Sequence, residues 1–257
     1  MEFTLRDTYT LPDLIAVMAL LRSENGCPWD LAQTHHTIRQ NVIEEAYEVA
    51  DAIDREDAHD LCEELGDLLL QVVFHSRMAQ EAGEFTFDDV ADGICKKMVG
   101  RHPHIFGDLK VGSAEEMLAV WDAVKVEEKG QKTASETLRA VPASFPALMR
   151  AQKLCSRSER AGLPPKDPAA ALRRALDRLA AGEALGKEDL GSLLFSAAAL
   201  CQTQGVDAEE ALSAACGRYI EAFERTERIA LAQGIPLSKA RECDETVNND
   251  VQETARK

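Results

Sequence analysis

The chain has 257 residues, 45% of them hydrophobic and 29% charged, a composition that supports a buried core in one large domain or two small ones. Its formal net charge of −16 argues against a nucleic-acid polymer as partner, because neutralising a phosphate backbone takes clustered Lys and Arg. The apolar stretch from Leu14 to Leu21 stops at Arg22, too short for a membrane span, no export signal is evident, and seven scattered cysteines form no CxxC pair; the expectation is a cytoplasmic protein with neither a disulfide framework nor a zinc knuckle.

Apolar positions recur at helical spacing, alternating β-branched runs are absent, and aromatic residues make up 5%, so the fold expected is all-α. Helices are predicted over 11–23, 33–54, 57–81, 87–100 and 114–129. Thr86 precedes the fourth, and Ser113 with Glu116 fits a capping box at the start of the fifth, after the breakers Pro103, Gly107 and Gly112. The polar, proline-punctuated stretch "KGQKTASETLRAVPASFPALM" (129–149) follows, then a helix over 145–160 and a second breaker, "GLPPKDP" (162–168). Further helices are predicted over 168–181, 188–203, 207–232 and 238–254. This divides the chain into an N-terminal domain (1–130), a linker with a connecting helix (131–165) and a C-terminal repeat (166–257). The halves are related, since "ELGDLLLQVVFHSRMAQEAGEFTFDDVADGICKKM" is echoed by "DLGSLLFSAAALCQTQGVDAEEALSAACGRY", which fits duplication of a helical unit.

The stretch "NVIEEAYEVADAIDREDAHDLCEELGD" (41–67) concentrates carboxylates on two helices. Glu44 and Glu48 are four apart on one face, Glu45 borders it, and Glu64 and Asp67 are three apart on the next helix. Residues 45 and 67 are equidistant from Glu56, as are 48 and 64, so a turn there pairs Glu45 with Asp67 and Glu48 with Glu64 across an antiparallel hairpin. Like charges 4 Å apart repel by about 4 kcal/mol at an effective dielectric near 20, and a bound cation reverses the sign. Carboxylate-only ligation suits a hard ion, Mg²⁺ above all, together with phosphate oxygens. The competing reading is a solvated acidic face. A di-iron bundle needs two Glu-x-x-His units, and the single match, Glu56 to His59, falls at the turn.

These acids meet the signature EExxE…ExxD of the MazG family of all-α nucleoside triphosphate pyrophosphohydrolases, which the chain resembles also in "NGCPWDLAQTHHTI", "EEAYEVADAI", "ELGDLLLQVVFHSRMAQE", "RHPHIFGD" and "PALMRAQKL". The resemblance implies a Mg²⁺-dependent hydrolase, with Mn²⁺ as a substitute, that converts a nucleoside triphosphate to the monophosphate and diphosphate and cleanses nucleotide pools. It implies metal held by Glu45, Glu48, Glu64 and Asp67, with Glu44 as an outer acid or a base for the attacking water. Lys97 and Arg101 stand four apart on one helix, Trp121 and Lys125 on the next; similarity assigns them to the triphosphate and the base, and brings Trp29 near the pocket, whereas spacing alone leaves all five open to structural roles. The histidines are read as satisfying local hydrogen bonds. Hairpins of this kind complete four-helix bundles by pairing with a repeat or a second subunit, so a homodimer is expected.

In the second repeat the same arithmetic about residue 183 pairs Arg174 with Ser192 and Asp177 with Asp189. Arg173 and Arg174 replace the glutamate pair, and a guanidinium between Asp177 and Asp189 would neutralise them without metal, so catalysis is expected in the first repeat. A narrower hydrolase of one nucleotide or a guanosine alarmone, and a silent nucleotide-binding regulatory protein, are the alternatives.

Overall fold

The computed structural model describes residues 3–110, 112–113, 116–117 and 133–243, and among these the regular elements are all helices. None of them is long and apolar enough to cross a membrane. Two compact units are formed, Met1–Lys125 and Val126–Lys257.

The first unit contains α1 (Leu11–Leu21), α2 (Pro28–Ala32), α3 (Arg39–Asp54), α4 (Ala58–Glu81), α5 (Phe87–Arg101) and α6 (Pro103–Phe106). Its longest helix, α4, is the centre against which α1, α3 and α5 pack. Val73, Phe74 and Met78 on α4 meet Met18 of α1 and Ile38, with Leu14, Ile15, Leu70 and Phe87 around them. The α4 residues recur at intervals of one and four, the apolar stripe that a core-facing helix needs.

Three residues link α3 to α4, and each end is closed chemically. Glu56 N–H donates to Ile53 O and Asp57 N–H to Ala52 O, both at about 3 Å, the reciprocal pattern of a Schellman cap. That cap demands a left-handed residue after the helix, and Glu56 takes it at φ 55°. Asp57 then caps α4 by accepting from the N–H groups of His59 and Asp60. With so short a link the hairpin register cannot drift.

The α1–α2 connection is fastened by Arg22, whose side chain is 7% exposed. Its guanidinium donates to both carboxylate oxygens of Glu81 and to the carbonyls of Asp30 and Gln33, and lies 5.4 Å from the Phe74 ring centroid. Burial pushes the Glu81 carboxyl up, but hydrogen bonds from Arg22 and Arg77 outweigh this and hold it below its ordinary value. Gly26 is required for the same closure, because a Cβ there would lie 2.2 Å from Leu21 O.

The second unit contains α7 (Ala134–Arg139), α8 (Ala147–Arg160), α9 (Pro168–Ala180), α10 (Lys187–Gln204), α11 (Ala208–Gln233) and α12 (Leu237–Cys243). Ala151 of α8 packs with Ala198 of α10 and Ala208 of α11, small residues that let the helices approach closely. Gln152 locks this arrangement: its amide donates to Val206 O at 2.7 Å and its carbonyl accepts from Ala208 N–H at 2.8 Å.

The helix expected over 33–54 begins instead at Arg39. Thr34 and Thr37 hold the preceding turn, with Thr34 N–H on Thr37 Oγ1 at 2.9 Å and Thr37 Oγ1 donating to Gln33 Oε1 at 2.8 Å. Such side-chain bonds compete with the helical backbone pattern. The polar stretch 129–149 holds the short α7, started by Thr133 and Glu136. At the predicted fifth helix Glu116 N–H donates to Ser113 Oγ, while the Glu116 carboxylate accepts from Gly112 N–H rather than from Ser113. Most of that helix, and the predicted helix beyond 243, lie outside the described residues.

Two stability measurements follow from these closures. Arg22→Met should cost about 2–4 kcal/mol in urea unfolding, since it leaves Glu81 to Arg77 alone and takes a donor from two carbonyls; a change under about 0.5 kcal/mol would be that of an ordinary surface site. Glu56→Gly should stabilise by about 0.5–1 kcal/mol, the relieved left-handed strain less the added freedom of the unfolded chain.

Candidate metal centre

Within the first unit, the register imposed at Glu56 and Asp57 brings one carboxylate oxygen from each of Glu45, Glu48 and Glu64 within 4.8 Å of one another. Glu45 and Glu48 come from successive positions on one face of α3, Glu64 from the facing side of α4. Oxygens so spaced suit a single hard cation, whose ligands sit at about 2.0–2.6 Å. Asp67 lies one position along the same stripe of α4, outside the three-oxygen group, and its charge acts on both Glu45 and Glu64. Glu44 is exposed on α3 and is not part of the group.

Electrostatics records the crowding. Burial raises the Glu45 carboxyl above its ordinary value, and the charge of Asp67 and a hydrogen bond shared with Glu48 raise it further. Glu64 is raised by desolvation and then by Glu48, Asp60 and Asp67. Gln71 opposes this at Glu45, donating from its amide to Glu45 Oε1 at 3.3 Å. Raised carboxyl values mean that the folded chain holds protons more tightly than the unfolded chain. Without metal these groups therefore lose stability as the pH rises from about 4.5 through their folded values.

Gln71 was not among the residues singled out from sequence, although a glutamine four positions after Asp67, inside the apolar run "LLLQVV", marks a polar group on the inward face. His35 and His75 share one hydrogen bond, Nδ1 to Nδ1 at 2.7 Å, with near-parallel rings. Lys97 is exposed on α5, and Arg101 ends that helix half-buried. Trp29 is exposed on α2, the segment held by Arg22. Trp121 and Lys125 lie outside the described residues.

In the second unit Asp189 is neutralised by Arg178, not by Arg174: the Arg178 guanidinium reaches the two Asp189 oxygens at 2.7 and 3.4 Å and Glu183 at 2.9 Å. These bonds hold the Asp189 carboxyl below its ordinary value, the opposite of the shift at Glu45 and Glu64. Arg178 follows Asp177 by one residue, so a helical turn rather than the mirrored spacing about 183 decides which guanidinium arrives.

Comparison with known proteins identifies the domain that holds this hairpin. The profile of the MazG nucleotide pyrophosphohydrolase domain matches residues 33–106, which contain the whole hairpin. A nucleoside triphosphate pyrophosphohydrolase of Escherichia coli K12 is 40% identical over 236 residues, 88% of this chain and 90% of that protein. The nucleoside triphosphate pyrophosphohydrolase/pyrophosphatase MazG of Thermotoga maritima is 36% identical over 232 residues, 88% of this chain and 89% of that one. A nucleoside triphosphate pyrophosphohydrolase of Mycolicibacterium smegmatis is 42% identical over 156 residues, 60% of this chain and 47% of its own length. Similarity that runs through both units at this level goes beyond a shared motif, and the chain belongs to the MazG family of nucleotide pyrophosphohydrolases.

Proposed function

We propose that this chain is a divalent-metal-dependent hydrolase that converts nucleoside triphosphates to monophosphate and diphosphate, acting in the clearance of unwanted nucleotides. The observation that carries the reading is the unneutralised group of Glu45, Glu48 and Glu64, where no Lys or Arg among the described contacts relieves the charge. Oxygen-only ligands favour Mg²⁺, with Mn²⁺ as substitute. Bound there, the ion supplies Lewis-acid polarisation of a phosphoryl oxygen. Glu45, Glu48, Glu64 and Asp67 would hold it, and Glu44, exposed beside them, is the proposed base or outer acid. Lys97 and Arg101, with Lys125, are proposed for the outer phosphates, and Trp29 and Trp121 for the base.

In this reading the first unit, within residues 1–130, carries catalysis. The C-terminal repeat, 166–257, is a scaffold in which Arg178 occupies the role that metal plays in the first. A homodimer is supported by apolar residues left exposed on the hairpin and its neighbour, among them Tyr47, Leu65, Leu69, Ile94 and Met98, which a second copy would cover. The acidic charge accords with action on free nucleotides in the cytoplasm.

Purified protein should release diphosphate, and not orthophosphate, from several nucleoside triphosphates only with Mg²⁺ or Mn²⁺ present. Orthophosphate as the first product, or full activity in excess chelator, would sink the proposal. Glu48→Ala and Asp67→Ala should each lower kcat/KM by about 100-fold or more. In chelator at pH 7 both should unfold at equal or higher urea than the parent, an advantage that vanishes below the carboxylate range, where every acid is protonated. Arg178→Ala should leave turnover unchanged; loss of activity in a folded Arg178→Ala protein would move part of the chemistry to the second unit.

A further inference from the structure

One turn beyond the carboxylate group, α4 carries two buried polar atoms without a protein partner, Gln71 Oε1 and His75 Nε2. Each such atom costs about 1–3 kcal/mol if left unpaired. Gln71 is 7% exposed, and its orientation follows from its neighbour: a carboxylate only accepts, so the amide nitrogen faces Glu45 and Oε1 faces away. Residues 71 and 75 are four apart on one helical face. Between the two imidazoles, whose Nδ1 atoms are 2.7 Å apart, one nitrogen donates and the other accepts. If His35 donates, the lone proton of a neutral His75 sits on Nε2, which makes that buried atom a donor and Gln71 Oε1 an acceptor. Burial, and then the adjacent His35 ring, push His75 below its ordinary range, consistent with a neutral ring.

We infer that His35, His75 and Gln71 form a directed hydrogen-bond chain that positions Glu45 for its ion, with one buried water joining His75 Nε2–H to Gln71 Oε1. A water with two such partners satisfies both orphaned atoms. The polarity runs one way: His35 donates to His75, His75 through water to the Gln71 carbonyl, and the Gln71 amide to Glu45 Oε1. Glu45 otherwise has reason to turn away, since it faces the charges of Asp67 and Glu48. Holding one of its oxygens on Gln71 leaves the other for the group formed with Glu48 and Glu64. His35 lies in the turn between α2 and α3, so the chain also ties the placement of that turn to a metal ligand. Gln71 and His75 are therefore positioning residues. This inference rests on the metal-centre reading above.

The test is Mn²⁺ titration of the full chain without nucleotide, followed by electron paramagnetic resonance of the free ion, beside urea unfolding in chelator. Gln71→Leu should weaken Mn²⁺ binding about 10- to 100-fold, the usual range for an outer partner of a ligand, with metal-free stability unchanged or higher. His75→Phe, which keeps a ring and removes the donor, should weaken it in the same direction, and His75→Asn should recover part of the loss. His36→Ala, the exposed neighbour, should bind as the parent does. Gln71→Leu and His75→Phe binding within twofold of the parent, while Glu48→Ala has lost binding, would overturn the chain and leave the metal centre intact. An effect at Gln71 with none at His75 would overturn it beyond Gln71. Unchanged binding in Glu48→Ala would remove the metal reading itself. Should Gln71→Leu fail to fold, His75→Phe decides.

Discussion

Repulsion among Glu45, Glu48, Glu64 and Asp67 is the interaction around which the first unit is arranged. Nothing in α3 or α4 favours bringing these groups together by itself; what holds them is geometry set elsewhere. A link of three residues, closed on one side by the Schellman bonds of Glu56 and Asp57 and on the other by the Asp57 cap, leaves the hairpin one register. The strain of a left-handed Glu56 and the mutual repulsion of the acids are both costs, and the burial of Val73, Phe74 and Met78 against Met18 and Ile38 offsets them. Local frustration at a site, supported by a consistent core one or two turns away, is how functional positions generally depart from the rules that stabilise the rest of a fold.

The same α4 surface explains why the N-terminal segment is built as it is. Beyond the acids the helix presents Gln71, His75 and Glu81 at intervals of four and six residues, and each reaches a different strip of chain: Glu45, His35 and Arg22. Arg22 in turn holds the carbonyls of Asp30 and Gln33, and Gly26 lets the chain pass against the end of α1. The motif "NGCPWD" thus serves a mechanical purpose whatever Trp29 does: it closes the segment carrying His35 onto α4. A buried guanidinium with several acceptors is a rigid fastening, because loss of any one bond leaves the charge held by the others.

Much of this was legible in the sequence. Mirror spacing about residue 56 gives the pairing of Glu48 with Glu64, because two helices joined by a tight turn have one degree of freedom, and that turn fixes it. Spacing could not give Arg178 in place of Arg174. Helical phase, not distance from the turn, determines which arginine crosses to Asp189, and the second link is long enough, from Ala181 to Gly186, to relax the mirror. Periodicity sets the start of α3 too early, because the threonine bonds that break the helix at 33–38 involve residues that helices also tolerate. Short helices such as α2, α6 and α7 have too few turns to show a periodicity. The contact of His35 with His75 spans 40 positions and leaves no local signature.

The two hairpins amount to a comparison made within one chain. Both set acids on facing helices after a turn, yet the carboxyls of Glu45 and Glu64 are raised while that of Asp189 is lowered. The second hairpin has fewer acids, with Arg173 and Arg174 at the positions of the glutamate pair, and it sets a guanidinium on Asp189. In the second unit Arg178 is a permanent counter-ion, which satisfies the acid, needs no ligand and cannot leave to admit a phosphate. In the first, no Lys or Arg among the described residues supplies that counter-charge, so the folded state carries a deficit that an exchangeable cation would correct. That deficit is what a metal-activated site requires: an ion bound by differential stabilisation of the occupied state couples metal affinity to folding stability by mass action. A hairpin as comfortable as the second would fold more readily and bind nothing, so the repulsion in the first is the physical basis of its proposed chemistry rather than a defect beside it.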